Sequence, residues 1–468
     1  MSVDAPRRTA YALLRAVHTR DAYANLTLPR LLAEGALTGR DAAFTTELGY
    51  GALRWQASLD AVLAACVDRP LDVVDRAVLD GLRLGAYQLL HMRVPAHAAV
   101  SATVDLVREA TGPGPARFAN AVLRRVAARD WPSWIERLAP ARPGAGEPDE
   151  GPPGAERALV RMALQRGYPE WVARAFAQAL GDDLAETDRA LAADRPMVHL
   201  AARPGRIDRE ALLRQAGVGA RPAPWSPYGV HLTGGGDPGA LDAVRTGRAQ
   251  VQDEGSQLMA LALVATPLEG PDRRWLDLCA GPGGKAALLA GLGAQRGAHV
   301  LAVEPRAHRA ALLADALAGV DTAQTVVADG TRPAWRGGSM DRVLVDAPCT
   351  GLGALRRRPE ARWRRKPEDP IRLGQLQCAL LHAALDAARA GGVVGYVTCS
   401  PHPAETVAVV AAVLEARPDV DWVDARESLR GVPDLGPGPS VQLWPHRHGT
   451  DAMFLALLRR RALSATDA

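Results

Sequence analysis

Cys349, in VLVDAPCTG, and Cys399, in VVGYVTCSP, each follow an apolar run, so both thiols are expected at strand ends. Two thiols delivered to one cleft point to covalent chemistry on a substrate held between them. A pyrimidine is one such target: its C5 is poorly nucleophilic until a thiolate adds to C6, after which C5 accepts a methyl group and the thiol must leave. An unperturbed thiol is only ~3% ionised at pH 7, so the attacking group needs an accessible, electropositive setting. Strand ends provide exposure, and Lys285 is a candidate for the charge. Asp346 precedes Cys349 by three residues and is placed to face the same cleft, to hydrogen-bond the amino group of a base or to help bind a cofactor.

Upstream, LDLCAGPGGKAALLA reads as a strand, a glycine turn and a helix, so Cys279, Ala280, Gly281, Pro282, Gly283, Gly284 and Lys285 let a ligand approach the backbone at a helix amino terminus. A phosphate-binding P-loop needs Gly where Cys279 stands and Ser or Thr where Ala286 stands, and is excluded. Gly281, Gly283 and Ala286 satisfy a GxGxxA pattern that suits any nucleoside-like ligand. Glu304 ends VLAVE, where an acid accepts hydrogen bonds from ribose, and Asp329 ends VVAD in the same manner. An acid for ribose, one near the adenine and a glycine turn without a P-loop suggest S-adenosylmethionine.

These groups need a sheet to hold them. Residues 275–279, 300–303, 325–328 and 342–345 are strand-like, and a helix over 371–390 leads to a further strand over 393–398. That alternation predicts an α/β, Rossmann-like domain over 250–468, with a mostly parallel, doubly wound sheet and ligands beyond the carboxyl ends of its strands. Ahead of it, residues 1–136 read as all-α, with Leu13, Leu14, Val17, Leu79, Leu82, Leu84, Leu89 and Leu90 near helical spacing. Residues 137–155 (around APARPGAGEPDEGPPG) are rich in Pro, Gly and acid and predict a linker; residues 156–249 predict a small α/β module.

Five cysteines, odd in number and widely spaced, argue against a disulfide framework, and without CxxC spacing no metal site is expected. The chain has neither a signal-like start nor a run of eighteen apolar residues, so a cytoplasmic protein without a membrane span is expected. Net charge is only +4, but from Arg356 to Lys366 seven cations face one acid with Trp363 among them. A basic stretch with an aromatic beside a reactive loop suits single-stranded nucleic acid, through phosphate contacts and stacking.

The motifs VQDEGSQL, DLCAGPGGK, DAPCTGLGALRRRPEARW, YVTCSPHPAE and GTDAMFLALLRR, in that order, resemble those of the RNA cytosine-5 methyltransferases, especially the bacterial 16S rRNA (cytosine-5)-methyltransferase of the RsmB (Sun) type. RDAAFTTELGYGALRW, LRLGAYQLLHMRVPAHAAV and FANAVLRRV are similar to the NusB-like helical RNA-binding domain that precedes the catalytic part in that subfamily. The resemblance implies an all-α NusB-like amino-terminal domain, a small α/β RNA-binding module and a class I methyltransferase domain, with 16S rRNA as partner and a monomer expected. It implies that Cys279 through Lys285, with Glu304, Asp329 and Asp346, bind S-adenosylmethionine, that Lys285 reaches the cofactor or the cytosine, that Cys399 is the nucleophile, and that Cys349 assists proton removal or enzyme release. The chain departs from the family pattern at Gly281, where Ala is more usual, at HLAARPG in place of an RVN motif, at SPHPAE, where Glu405 is the acidic member, and at Met453, where an aromatic is common. A DNA cytosine-5 methyltransferase, with Cys349 as nucleophile, is one alternative; a non-catalytic rRNA-binding or ribosome-assembly factor is another.

Overall fold

Aspartates open several helices of the amino-terminal part. Asp4 accepts from the Arg7 amide, Asp75 from the Ala77 and Val78 amides, and Asp130 from the Ser133 amide, each satisfying donors that have no partner inside the helix. The structure is a computed structural model and describes residues 3–139, 154–193, 196–234 and 237–461. Most of the expected linker, residues 140–153, lies outside the described residues. The chain forms two compact units, Met1–Ala192 with Arg357–Lys366, and Ala193–Arg356 with Pro367–Ala468.

The first unit is helical. Its helices include Ala5–Arg20, Gly39–Arg54, Arg76–His91, Ala96–Thr111 and Pro113–Ala127. The apolar stripes expected from spacing face inward: Leu13, Leu14, Val17, Leu79, Leu82 and Leu84 are buried, while Leu89 and Leu90 pack partly buried at the margin of the same core. Gly51 is required there, because a Cβ on it would lie 2.0 Å from Cζ of Tyr87, the ring that fills the space between its helices. Helices Gly154–Arg166, Glu170–Ala179 and Leu184–Ala192 also belong to this unit. The stretch 156–249, expected as one module, is thus divided, its helical start going to the helical unit and its strands to the other.

The second unit carries two sheets. Strands β1 (Val198–Ala202), β2 (Ala220–Pro222), β3 (Gly229–Leu232) and β4 (Ala249–Val251) form an antiparallel sheet in the order β2-β3-β1-β4. The larger sheet is built from β5 (Arg274–Asp277), β6 (His299–Val303), β7 (Ala323–Val326), β8 (Met340–Asp346), β9 (Ala388–Thr398), β10 (Val420–Val423), β11 (Val441–Gln442) and β12 (Phe454–Arg460). Its order is β10-β12-β9-β8-β5-β6-β7, with β11 on β12; the pairs from β9 to β7 are parallel and those made by β12 antiparallel. This is the mostly parallel α/β sheet the alternation predicts.

Several element bounds differ from expectation: β5 ends at Asp277, short of Cys279, and β7, β8, the long helix and β9 each begin earlier than their spacing suggests. β7 begins two residues early because it pairs with β6 only as far as Val303 opposite Val326, leaving Val327 exposed. The long helix ends at Ala387, since Ala388 is already extended; β9 then carries an irregularity opposite Met340–Arg342, near Gly391 at φ +76°. Among the described residues no helix is long and apolar enough to cross a membrane.

Candidate active site

The order of the large sheet reverses at β5, with β6 and β7 on one side and β8 and β9 on the other, the kind of switch point beyond whose strand carboxyl ends open α/β sheets bind ligands. β5 runs into the glycine turn and then into helix Gly284–Arg296. Gly283 has φ +119°, and a Cβ on it would lie 2.6 Å from Cβ of Ala316, so only glycine fits the turn. A Cβ on Gly281 would lie 2.0 Å from Oε2 of Glu304, so this turn is open to that carboxylate only because position 281 lacks a side chain.

Glu304 follows β6 and is 3% exposed; it accepts from the Arg306 amide at 3.0 Å and pairs with Arg309, which also donates to the Gly281 carbonyl. Asp329, beyond β7, is exposed and accepts from the Thr331 amide and hydroxyl, bonds that hold its carboxyl below the usual range.

β8 and β9 run side by side, Asp346 opposite Val397, so the loops leaving them bring the two thiols together: Sγ of Cys349 lies 3.4 Å from Sγ of Cys399. Nζ of Lys285, 8% exposed, donates to Oδ2 of Asp346 at 2.8 Å. Burial works against the Lys285 ammonium, yet the Asp346 carboxylate more than offsets it and the pKa is raised. Cys399 has a lowered pKa, chiefly because its sulfur accepts a hydrogen bond from Cys349, with the Lys285 charge acting in the same direction against burial and Asp346. Donating that bond, being buried, and facing Cys399 and Glu405 push the Cys349 thiol well up. The arrangement can therefore hold one thiolate and one thiol. Cys279, half-buried in the glycine turn, has its thiol pushed well up by burial, then by Asp277, Asp346 and Glu304.

Residues 264–459 match the family described as 16S rRNA methyltransferase RsmB/F, and residues 4–128 match the NusB family. The ribosomal RNA small subunit methyltransferase B of Pseudomonas putida is 31% identical over 471 residues, covering 98% of this chain and 99% of its own. The chain belongs to the RsmB/F family of 16S rRNA methyltransferases. Rv1407 of Mycobacterium tuberculosis is 52% identical to it over 461 residues, covering 98% of this chain and 97% of the relative. The solved structure of PH0851 shares the fold, with a TM-score of 0.79 at 21% identity over 98% of this chain and 100% of its own.

Several residues of this RsmB/F chain escape a reading of motifs. Asp277, the last residue of β5, is fully buried, and neither carboxylate oxygen has a hydrogen-bond partner among the described residues, only a weak approach of the Cys279 amide. Burial, then the Asp346 charge, push its pKa up to about 7 against the pull of Lys285. Its position at a strand end beside the glycine turn was the available signal. Three of the quoted motifs also meet through Arg356: its guanidinium donates to Asp451 at 2.8 Å and to the Gly449 carbonyl at 2.8 Å, and lies 3.5 Å from Asp253, which accepts from the Asp451 amide. Arg203, in HLAARPG, is also committed internally, to the Ala316 carbonyl and Gln250, and Met453 is a buried core residue.

The basic stretch differs from its expectation. Arg357–Lys366 belongs to the helical unit, where Arg362 is buried with its guanidinium 3.6 Å from the Tyr168 ring centroid and donates to the carbonyls of Gly167 and Arg54. Trp363 donates to the Leu53 carbonyl and Arg364 to that of Ala22, while Glu360 accepts from the Ala24 amide. These bonds anchor the segment, and the indole N–H of the half-buried Trp363 is spent on a carbonyl of the protein.

Proposed function

We propose that this protein methylates C5 of a cytidine in 16S rRNA, with Cys399 as the transient nucleophile and S-adenosylmethionine as the methyl donor. The observation that carries the reading is the Cys349–Cys399 pair, 3.4 Å apart, with pKa values driven in opposite directions. The Cys399 thiolate adds to C6, forming an S–C6 bond and moving an electron pair onto C5, which then bonds to the methyl group. Loss of the C5 proton returns a pair to the ring, and the S–C6 bond breaks with its electrons going back to sulfur. Cys349 assists proton removal or release of the enzyme: its own proton passes to solvent, and its sulfur then accepts the proton lost from C5. Asp346 holds the amino group of the base or the cofactor, and Lys285 steadies both Asp346 and the thiolate.

The residues present fit the cofactor. A buried carboxylate on Asp277 without a hydrogen-bond partner among the described residues calls for a cationic or donor group such as the methionine ammonium, and the turn from Cys279 to Gly284, with no side chain at Gly281 or Gly283, leaves room for backbone approach. Glu304 would take the ribose hydroxyls and Asp329 the adenine side. When bound, S-adenosylmethionine supplies an electrophilic methyl group. The helical region over 1–136 and the strands within 156–249 are read as the RNA-holding parts.

RNA carrying 5-fluorocytidine tests this, because fluorine at C5 blocks the proton loss that frees the enzyme. Wild-type protein should form a stable adduct, Cys399→Ser none, and Cys349→Ser an adduct that persists or accumulates. The reverse pattern would exchange the roles of the thiols, and equal methylation of matched DNA would overturn the RNA assignment.

A further inference from the structure

The residue following each cysteine carries a hydroxyl, and both hydroxyls reach one buried carboxylate. Oε2 of Glu405 accepts from Oγ1 of Thr350 at 2.5 Å and from Oγ of Ser400 at 2.6 Å. Its Oε1 accepts from the Thr350 amide at 2.7 Å and, at 3.3 Å, from Nε2 of Gln377. Gln377 donates at 2.9 Å to the carbonyl of Pro348, the residue before Cys349, and the Tyr396 hydroxyl donates at 2.7 Å to the carbonyl of Glu405. Glu405 is 0% exposed, and no ion pair to it occurs among the described residues. Burying a carboxylate without a cation is costly, and a neutral side chain would be the cheaper way to fill this space. What the charge adds is short, directional hydrogen bonds to both cysteine loops at once.

We infer that Glu405 is a positioning residue for the two-thiol reaction: one carboxylate clamps Thr350 and Ser400 and so holds the two sulfurs at their 3.4 Å separation. The inference rests on the reading of Cys349 and Cys399 given above. The two thiols must act in turn on one base, and a misplacement near 1 Å costs on the order of 10²-fold in rate.

Sulfur register can be read without RNA or methyl donor. Peroxide oxidises the pair in the full-length protein, two S–H groups and one hydrogen peroxide giving one S–S bond and two waters, and peptide mapping by mass spectrometry follows the Cys349–Cys399 cross-link. Glu405→Gln should slow cross-linking and lower kcat for RNA methylation, each by ~10-fold or more, with KM for RNA and the unfolding midpoint little changed. Thr350→Val and Ser400→Ala each remove one arm and should give part of the same loss, so they decide the matter if Glu405→Gln does not fold. Unchanged cross-linking and kcat in folded variants would overturn the clamp. Absence of a 5-fluorocytidine adduct with wild-type protein would instead overturn the reading of the thiols, while the cross-linking comparison would still judge Glu405.

Discussion

Lys285 donates from Nζ to Oδ2 of Asp346 at 2.8 Å, although the two residues are 61 positions apart, and the ammonium is nearly buried. Cys399 is held below its ordinary pKa chiefly by the hydrogen bond from Cys349, and the Lys285 charge adds to that lowering against burial and the Asp346 charge. Lys285→Met should therefore move the acid limb of the kcat/KM profile to higher pH, since the thiolate then forms only as pH rises further. The loss at pH 7 should be ~10- to 100-fold, recovered in part at higher pH. A profile with an unmoved limb would show that Lys285 does not act on the nucleophile.

Asp277 makes the unliganded protein sensitive to pH. Its pKa is about 7 in the folded state against an ordinary value of 3.8, so folding favours the protonated form. The stability this contributes is complete below the unfolded value and is lost as pH rises through about 7. Asp277→Asn keeps the shape and removes the charge, so denaturant unfolding at pH 8 should show a gain of up to ~4 kcal/mol, reduced by the unmet hydrogen bonds of the amide, with little gain at pH 4. The same variant should lose S-adenosylmethionine affinity by calorimetry. An equal effect on stability at both pH values would contradict the assignment.

Arg362→Met should destabilise the helical unit. The substitution leaves the Gly167 and Arg54 carbonyls without their donor and removes the cation from the face of Tyr168. A cost of ~2–4 kcal/mol is expected from thermal or denaturant unfolding of the full chain. The salt dependence of RNA binding should keep its slope, because this guanidinium is committed inside the protein; a slope reduced by about one would mean that it meets phosphate instead.

Gly281→Ala places a methyl group against the end of the Glu304 side chain, 2.0 Å from Oε2 and 2.8 Å from Cδ. Those atoms end a flexible side chain, so the protein should fold with stability changed by less than ~1 kcal/mol. Glu304 must move, and affinity for S-adenosylmethionine should fall by ~10-fold in calorimetric titration. Unaltered affinity would show that Glu304 binds the ligand from another position.

Much of the site was legible in the chain order because strand ends have a local signature. An apolar run followed by Cys, Asp or Glu marks where a parallel strand meets the cleft, and Cys349, Cys399, Asp346 and Glu304 all follow or end strands as that pattern requires. Helical spacing likewise located the core positions of the amino-terminal part. What these patterns could not contain was which distant groups meet. Glu405 reads only as the acidic member of the motif after Cys399 until Thr350, 55 residues earlier, and Ser400 are seen on its oxygens. Trp363 and Arg362 read as a surface for nucleic acid until they are found on carbonyls 310 and 195 positions away. Residue type and local periodicity determined the chemistry on offer and the kind of sheet that presents it. Only the tertiary structure decided which charges are desolvated and which donors are consumed, because pKa values and hydrogen-bond partners arise from long-range neighbours that local spacing does not encode.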